Sequence, residues 1–202
     1  MTHPSDLPPP PTVGIMFDIE TLGLDARAVV TQIAMYAFDM EQESIMPDAM
    51  HLYLPMQPQF DLVPPRTITA DTLVWWMDQP DEARAAFQRS LGDDFEELPI
   101  LMASLVRRFN KLTNDGIWEY EVMAKGPQFD LTLIETLLTD CGMKAPWKYD
   151  RVIDLRTLQR YAGITSKDLT PPEGFIPHRA DWDAKFQIQA YFETKRALRA
   201  RG

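Results

Sequence analysis

The segment 14–23, GIMFDIETLG, constrains the fold of this chain more than any other, because an apolar run there leads into two carboxylates one residue apart. The apolar character of Val13–Phe17 predicts a buried β-strand. Side chains alternate along a strand, so Asp18 and Glu20 point to the same side of it. Two like charges held so close repel each other unless a cation lies between them. The segment therefore predicts a site for a divalent metal ion.

The same tripeptide has an ordinary explanation as solvated surface, since Asp-x-Glu arises by chance about once in a chain of this size. Its position argues for function. Open α/β sheets hold their sites at the carboxyl ends of buried strands, and the two carboxylates follow such a strand.

Composition narrows the class of protein. A length of 202 residues is enough for one domain with its own core, and a single cysteine excludes an internal disulfide. With only three histidines, the chain shows no His/Cys spacing for a zinc site. The net charge of −10 argues against binding of long duplexes through their phosphates, but a short nucleic-acid end remains compatible if metal ions supply the positive charge.

No signal-peptide pattern and no apolar run of about 20 residues is present in the sequence. We therefore expect a cytoplasmic protein without a membrane partner. Prolines at 4 and 8–11 predict an extended arm over residues 1–12 that precedes a single domain over residues 13–202.

Hydrophobic periodicity predicts an α/β fold with a mixed sheet flanked by helices. The strand at Val13–Phe17 is followed by strands at Ala28–Phe38 and Met50–Met56, and the short connections favour an antiparallel meander. Further strands are predicted at Ile117–Ala124 and Arg151–Leu155. The predicted helices are Thr69–Met77, Asp81–Ser90, Phe95–Leu112, Phe129–Cys141, a helix that ends at Tyr161 before Gly163, and a last helix that follows Pro177 and runs to about Arg199.

Two later segments place further carboxylates at the starts of helices. Asp130 follows the turn KGPQF, and the segment PHRADWDAKF brings together His178, Asp181 and Asp183. For each aspartate the alternative is simple stabilisation of a helix N-terminus. His178 and Asp183 are five residues apart, about 140° around a helix, so they converge only if His178 lies in the loop and Asp183 in the first turn. In that arrangement Asp181 is expected to be the N-cap.

Three motifs together carry a resemblance to a known family. FDIET at residues 17–21, GPQFD at 126–130 and the His-x4-Asp spacing from His178 to Asp183 resemble the motifs of DEDDh 3′–5′ exonucleases, the RNase T and DnaQ-like group of the ribonuclease H-like superfamily. The segments Thr72–Phe87 and Ala145–Leu158 are similar to parts of small stand-alone exonucleases of bacteria and phages. The resemblance thus extends over nearly the whole chain.

The resemblance implies a ribonuclease H-like fold and release of nucleoside 5′-monophosphates from the 3′ end of single-stranded RNA or DNA. It assigns Asp18, Glu20, Asp130 and Asp183 to two divalent ions, Mg²⁺ or Mn²⁺, with Asp18 shared by both ions. It assigns the general base to His178. It further implies that Thr21 and Leu22 contact the terminal nucleotide. Oxygen ligands suit these ions better than zinc.

Several alternatives remain open at the level of sequence. The same fold could serve as a binding module without hydrolysis, or as a phosphodiesterase for dinucleotides. A homodimer is compatible with the resemblance, as is the cytoplasm of a bacterium or of a phage-infected host. Trp75 and Trp76 either stack on bases or pack in the core, and we expect a core role for at least one. Asp154 is expected to form an ion pair with Arg151 or Arg156.

Overall fold

A five-stranded mixed sheet forms the centre of the protein. The computed structural model describes residues 12–92 and 96–201, so the predicted arm lies outside the described residues except for Thr12. The strand order is β3-β2-β1-β4-β5. The strands are β1 (Val13–Thr21), β2 (Val30–Asp39), β3 (Ser44–Tyr53), β4 (Tyr120–Ala124) and β5 (Val152–Asp154).

The sheet combines the two kinds of pairing that the sequence predicts. β1, β2 and β3 form an antiparallel meander, whereas β4 runs parallel to β1 and β5 runs parallel to β4. β1 is therefore the central strand, and its residues from Val13 to Phe17 are almost free of solvent contact. The α/β fold with antiparallel and parallel strands is confirmed.

Seven helices surround this sheet in the described ranges. None of them combines the length and the hydropathy needed to cross a lipid bilayer. The helices are α1 (Gln57–Phe60), α2 (Ala70–Met77), α3 (Asp81–Arg89), α4 (Leu98–Leu112), α5 (Pro127–Asp140), α6 (Leu155–Ala162) and α7 (Ala180–Arg199).

The two faces of β1 belong to different cores. Ile15 and Phe17 pack in the main cluster with residues of α4 and α5, whereas Met16 packs with Ala184 and Ile188 of α7. Because side chains alternate, the even-numbered residues that follow Met16 also face α7. The fold thus directs the carboxylates of β1 toward the N-terminal half of α7.

Gly14 shows how tightly the strands and α7 are packed. A Cβ atom at this position would lie 2.1 Å from the ring of Phe38 on β2. No side chain fits there, since contacts below 3 Å are not tolerated in a packed core. The absence of a side chain at Gly14 therefore allows the ring of Phe38 to pack directly against β1.

Strand ends differ from the predicted ends where pairing or turns override the local pattern. β1 continues to Thr21 because it pairs with β2 as far as Val30, and β3 begins already at Ser44, which pairs with Asp39. The predicted strand Met50–Met56 therefore lies too far toward the C-terminus. Ala28 forms only an isolated bridge, so β2 begins two residues later than predicted.

The remaining differences arise at turns. The N–H groups of Ile117 and Trp118 donate to the carbonyl oxygens of Asn114 and Thr113 in the turn after α4, so β4 begins only at Tyr120. Arg151 belongs to a 3₁₀ turn and Leu155 already begins α6, which leaves three residues for β5. The helices agree with the prediction to within about three residues, although α1 was missed and Phe95, the predicted start of α4, lies outside the described residues.

Candidate metal and catalytic site

Strand β1 contributes two carboxylates to the face covered by α7. Asp18 is opposite Ala34 and Glu20 opposite Gln32 on the antiparallel neighbour β2. Asp18 is 8% exposed, so its carboxylate lies inside the fold rather than on the surface. The pair lies within β1, and not after its end, because the strand is longer than predicted.

Helix α5 contributes the third carboxylate. The chain leaves β4 and turns at Gly126, whose φ of +127° favours glycine, and Pro127 then starts the helix. Asp130 therefore lies in the first turn of α5, as predicted, and it is 9% exposed. The parallel pairing of β4 with β1 places this turn beside the end of β1 that carries Asp18 and Glu20.

Helix α7 contributes the fourth carboxylate, and the loop before it contributes the histidine. His178 lies in the loop before α7 with φ of +60°, a strained value for a residue with a side chain. Its N–H donates to Oδ2 of Asp183 at 2.7 Å, and Asp183 lies in the first turn of α7. The loop position of His178 and the first-turn position of Asp183 are as predicted from their spacing.

These groups converge from three separate parts of the chain. Glu20, His178 and Asp183 each offer a ligating atom, and these atoms all lie within 4.8 Å of one another. Asp18 and Asp130 are close enough to add their charge, because both Asp130 and Asp183 raise the pKa of Asp18. The fold thus brings all five sequence-predicted residues together.

Burial makes this group of carboxylates unfavourable when charged. The pKa of Asp18 is raised well above its usual value, first by burial and then by repulsion from Glu20. Burial likewise raises the pKa of Glu20 strongly, that of Asp130 to about 7 and that of Asp183 to about 6. These shifts express the free-energy cost of four negative charges in one buried place.

Basic side chains do not neutralise the group by direct contact. Within the described part of the chain, none of the four carboxylates forms a salt bridge; Lys125 and Arg156 act on Asp183 and Asp130 only from further away. The four carboxylates offer oxygen ligands, which hard divalent cations prefer. The site therefore fits divalent cations, which would supply the missing positive charge.

His178 is kept neutral by its surroundings. Its ring packs edge to face against Trp75, with 4.6 Å between the ring centroids. Burial lowers the pKa of His178, so the imidazole carries a free lone pair at neutral pH. A neutral imidazole in this position can accept a proton.

A cavity of about 420 Å³ opens beside Glu20. It is large enough for a nucleobase and has aromatic and aliphatic walls, which suit stacking and apolar contact. The sequence did not identify Leu24 and Phe129 as residues that line a cavity. Leu24 is 80% exposed, and no sequence pattern predicted this exposure. The lining residues are Ile19, Glu20, Thr21, Leu24, Asp71, Thr72, Trp75 and Phe129.

Thr21 and Leu22 lie at this cavity in different ways. Thr21 lines it, but its hydroxyl donates to the carbonyl oxygen of Gly23 at 2.8 Å. Leu22 has no exposed surface and packs in a small cluster with Val29 and Trp76. Leu22 is therefore packed beneath the surface and does not line the cavity, whereas Leu24 provides apolar surface there.

The two neighbouring tryptophans have separate roles. Trp76 is 1% exposed and its Nε1 donates to the carbonyl oxygen of Thr21 at 2.9 Å. Trp75 is 41% exposed and lines the cavity. The expectation that at least one of them belongs to the core is confirmed.

Two predictions for acidic residues were wrong. Asp181 is not the N-cap of α7; Arg179 holds that position and binds the carboxylate of Asp181 through two hydrogen bonds of 2.7 and 2.8 Å. Asp154 does not pair with a basic side chain. It caps α6 instead, accepting from the backbone N–H of Arg156 at 3.0 Å and from the Thr157 hydroxyl at 2.7 Å.

The chain is similar to known nucleases in sequence pattern and in fold. A family model described as the 3′–5′ exoribonuclease Rv2179c-like domain matches residues 13–194. No match was found among curated protein sequences.

Solved structures with a related fold include exonuclease I. For E. coli exonuclease I in complex with a dA16 oligonucleotide, the TM-score is 0.61 at 18% identity, over 94% of this chain and 42% of that chain. For apo exonuclease I the TM-score is 0.59 at 17% identity, over 94% and 44%. For cell-death related nuclease 4 it is 0.51 at 16% identity, over 93% and 64%. These likenesses show a shared fold, and this chain spans less than half the length of exonuclease I.

Proposed function

The chain belongs to the 3′–5′ exoribonuclease Rv2179c-like family, and from its site we propose that it is a metal-dependent 3′–5′ exonuclease acting on single-stranded nucleic acid. The observation that carries the proposal is the convergence of four carboxylates, two of them buried and two half-buried, and one neutral histidine beside a cavity. A protein that only binds nucleic acid has no need of a carboxylate cluster that is unfavourable by itself.

We propose that Asp18, Glu20, Asp130 and Asp183 hold two divalent cations, Mg²⁺ or Mn²⁺, with Asp18 shared between them. Bound there, the cations would lower the pKa of a water molecule and stabilise the negative charge that develops on the phosphate and the leaving 3′ oxygen. The carboxylates themselves are held rigidly by β1, α5 and α7, so little reorganisation is needed when the cations bind.

His178 is the proposed general base. Its imidazole is neutral at physiological pH because burial lowers its pKa, and its ligating atom lies within 4.8 Å of those of Glu20 and Asp183. The backbone N–H of His178 donates to the Asp183 carboxylate and so fixes the loop, and the contact with Trp75 fixes the ring. His178 is therefore placed to take the proton of the attacking water.

The cavity beside Glu20 is the proposed site of the 3′-terminal base. Trp75 and Phe129 offer aromatic surfaces and Leu24 an apolar one, while Thr21 provides backbone or hydroxyl contact. Contacts of this kind accept any base, because every base has a π-face. Leu22 contributes by supporting the wall of the cavity.

The family description favours RNA as the substrate, whereas the structure of E. coli exonuclease I contains a dA16 oligonucleotide. The test is a comparison of matched single-stranded and double-stranded RNA and DNA with Mg²⁺ or Mn²⁺. We expect nucleoside 5′-monophosphates to be released from a 3′-labelled single strand, and we expect EDTA or Asp18→Ala to abolish this release. A purified protein that releases none with either metal contradicts the proposal; faster cleavage of dinucleotides than of longer strands would instead identify a small-substrate phosphodiesterase.

The role of the cavity is tested by Trp75→Ala. Loss of base stacking is expected to raise KM about 5- to 150-fold, since one stacked base contributes about 1–3 kcal/mol. The matched control is Met77→Ala on the same helix, because Met77 is 67% exposed and does not line the cavity. An equal KM for the two variants would contradict the assignment of the cavity to the terminal base.

A further inference from the structure

Gln187 lies directly behind the carboxylate cluster, although no motif in the sequence singles it out. It follows Asp183 by four residues on α7, so the two side chains share one face of the helix. That face packs against β1, and Gln187 is only 9% exposed. A polar side chain so deeply buried requires a reason.

One end of the Gln187 side chain holds Asp18. Nε2 of Gln187 donates to Oδ1 of Asp18 at 2.6 Å. An ionised carboxylate only accepts hydrogen bonds, so this orientation of the amide is the one that suits a charged Asp18. The bond fixes the carboxylate of Asp18 and leaves its second oxygen, Oδ2, to the rest of the cluster.

The carbonyl oxygen Oε1 at the other end of the same amide is in a different situation. Oε1 of Gln187 is buried and accepts no hydrogen bond from any residue in the two described ranges. Burial of an acceptor without a donor is unfavourable. A hydrated cation would bring donors to this place.

Gln59 provides a comparison, because its side chain bonds only to backbone groups. It is completely buried, and both ends of its amide are bonded. Its Oε1 accepts from the N–H of Val30 at 2.9 Å, and its Nε2 donates to the carbonyl oxygens of Val30 and Pro55 at 2.8 and 2.9 Å. Gln187 differs because its Nε2 contacts a carboxylate of the site, whereas its Oε1 has no donor among the described residues.

We propose that Gln187 is a positioning residue that orients Asp18 for metal binding and so sets the affinity of the site for its divalent cation. The inference rests on the proposed function in that Asp18 is taken as a metal ligand. Residues that hold a ligand by a hydrogen bond commonly change metal affinity by 10–100-fold when they are replaced. The effect of Gln187 on catalysis is expected to act through the cation and not through the substrate.

The test measures binding of Mn²⁺ alone to the full chain by isothermal titration calorimetry. Gln187→Met keeps the volume and removes the amide, and Gln187→Asn keeps the amide but withdraws it from Asp18. We expect both variants to bind Mn²⁺ about 10–100-fold more weakly. The matched control is Gln189→Met, because Gln189 lies on the same helix but donates to the carbonyl oxygen of Thr170; its Mn²⁺ affinity should equal that of the wild type.

A second readout separates positioning from a merely structural role. The hydrolysis rate of the Gln187 variants should recover toward the wild-type rate as the Mg²⁺ concentration is raised, whereas a packing defect would not respond to metal. If Gln187→Met does not fold, Gln187→Asn provides the same comparison. Wild-type Mn²⁺ affinity in a folded variant would overturn the proposal even if the wild type is an active nuclease; absence of hydrolysis by the wild type would overturn the proposed function while the Mn²⁺ titration still decides the role of Gln187.

Discussion

The two ends of helix α5 each carry a sequestered aspartate, and the two are treated in opposite ways. Asp140, at the C-terminal end, accepts hydrogen bonds from Arg27 at 2.8 and 2.9 Å and from Arg66 at 3.1 Å. Asp130, in the first turn, forms no salt bridge in the described part of the chain, and burial raises its pKa to about 7. One carboxylate is neutralised by two arginines, and the other has no cationic partner in contact among the described residues.

The contrast separates stability from function on a single helix. A paired, buried carboxylate belongs to the structure, because both charges lose their partner when the protein unfolds. A buried carboxylate without a partner destabilises the native state and is retained where chemistry requires it. Burial alone therefore does not identify a functional acid; burial without a cationic partner does.

The largest expected effect is the loss of hydrolysis in Asp130→Asn. We expect the rate to fall about 10³-fold, because a metal ligand supports several kcal/mol of transition-state stabilisation and each 1.36 kcal/mol is a factor of ten. Asp140→Asn is the matched control on the same helix and should keep the wild-type rate below its melting temperature. Similar losses of rate in the two variants would break the contrast between the two ends of α5.

A smaller effect is expected from Arg66→Met at the paired end. Arg66 is 3% exposed, and the variant leaves Asp140 with only one arginine and the carbonyl oxygen of Ala28 without its donor. The free energy of unfolding should fall by about 3–5 kcal/mol, as for other buried pairs that lose one partner. Thermal unfolding measures this change.

The control for that measurement is Arg84→Met. Arg84 pairs with Asp81 on the surface, where a salt bridge contributes about 0–1 kcal/mol. Metal-dependent hydrolysis should survive in both variants at low temperature. Loss of hydrolysis in a folded Arg66→Met protein would show that the paired end of α5 also serves the site.

A third prediction concerns the pH dependence of stability without metal. The pKa values of about 7 for Asp130 and about 6 for Asp183 lie above the usual value of 3.8, so the native state binds protons more tightly than the unfolded state. The resulting stability is complete below about pH 4 and is lost as the pH rises through 6 and 7. Between pH 5 and 8 the metal-free protein should lose about 2–3 kcal/mol of its free energy of unfolding through Asp130 and about 1 kcal/mol more through Asp183.

This loss is checked by thermal unfolding in EDTA across that range. Asp130→Asn should flatten the profile and raise the melting temperature at pH 8. Saturating Mg²⁺ should stabilise the wild type most at high pH, because metal binding releases the same protons. A metal-free stability that rises with pH would contradict the assignment of raised pKa values.

The smallest effect is expected for Asp181→Asn on α7. Asp181 lies two residues before Asp183, and the two aspartates repeat the contrast between a paired and an unpaired carboxylate. Asp181 is bound by Arg179, and its pKa is lowered although burial opposes this. Its replacement should change the hydrolysis rate by less than about twofold, whereas Asp183→Asn should resemble Asp130→Asn. Equal losses in Asp181→Asn and Asp183→Asn would mean that the wrong aspartate has been assigned to the metal.

Local patterns predicted the site well where the geometry is set by neighbours in the chain. Asp18 and Glu20 share a side because strand side chains alternate, and His178 reaches Asp183 because a loop residue precedes the first helical turn. Strand ends were predicted less well. β3 and β4 begin where pairing and turn hydrogen bonds allow, and these depend on other segments of the chain.

Roles that depend on which of several possible partners a side chain binds, or on how deeply it is buried, could not be read from the sequence. Arg179 decides the role of Asp181, and two backbone and hydroxyl donors decide that of Asp154. Leu22 and Leu24 are equally apolar, yet the first is completely buried and the second lines the cavity. The packing of α2 over the end of β1 produces that difference.

The sequence by itself determined which residues could carry the proposed chemistry: four acidic residues and a histidine in a fixed order, on a strand and at the starts of two helices. Only the tertiary structure decided which acids lack a basic partner, which side chains form the cavity, and that Gln187 holds Asp18 across 169 residues of chain. The physical reason is that strand alternation and helix starts are local properties. Burial and pairing are created only when α5 and α7 pack against the sheet.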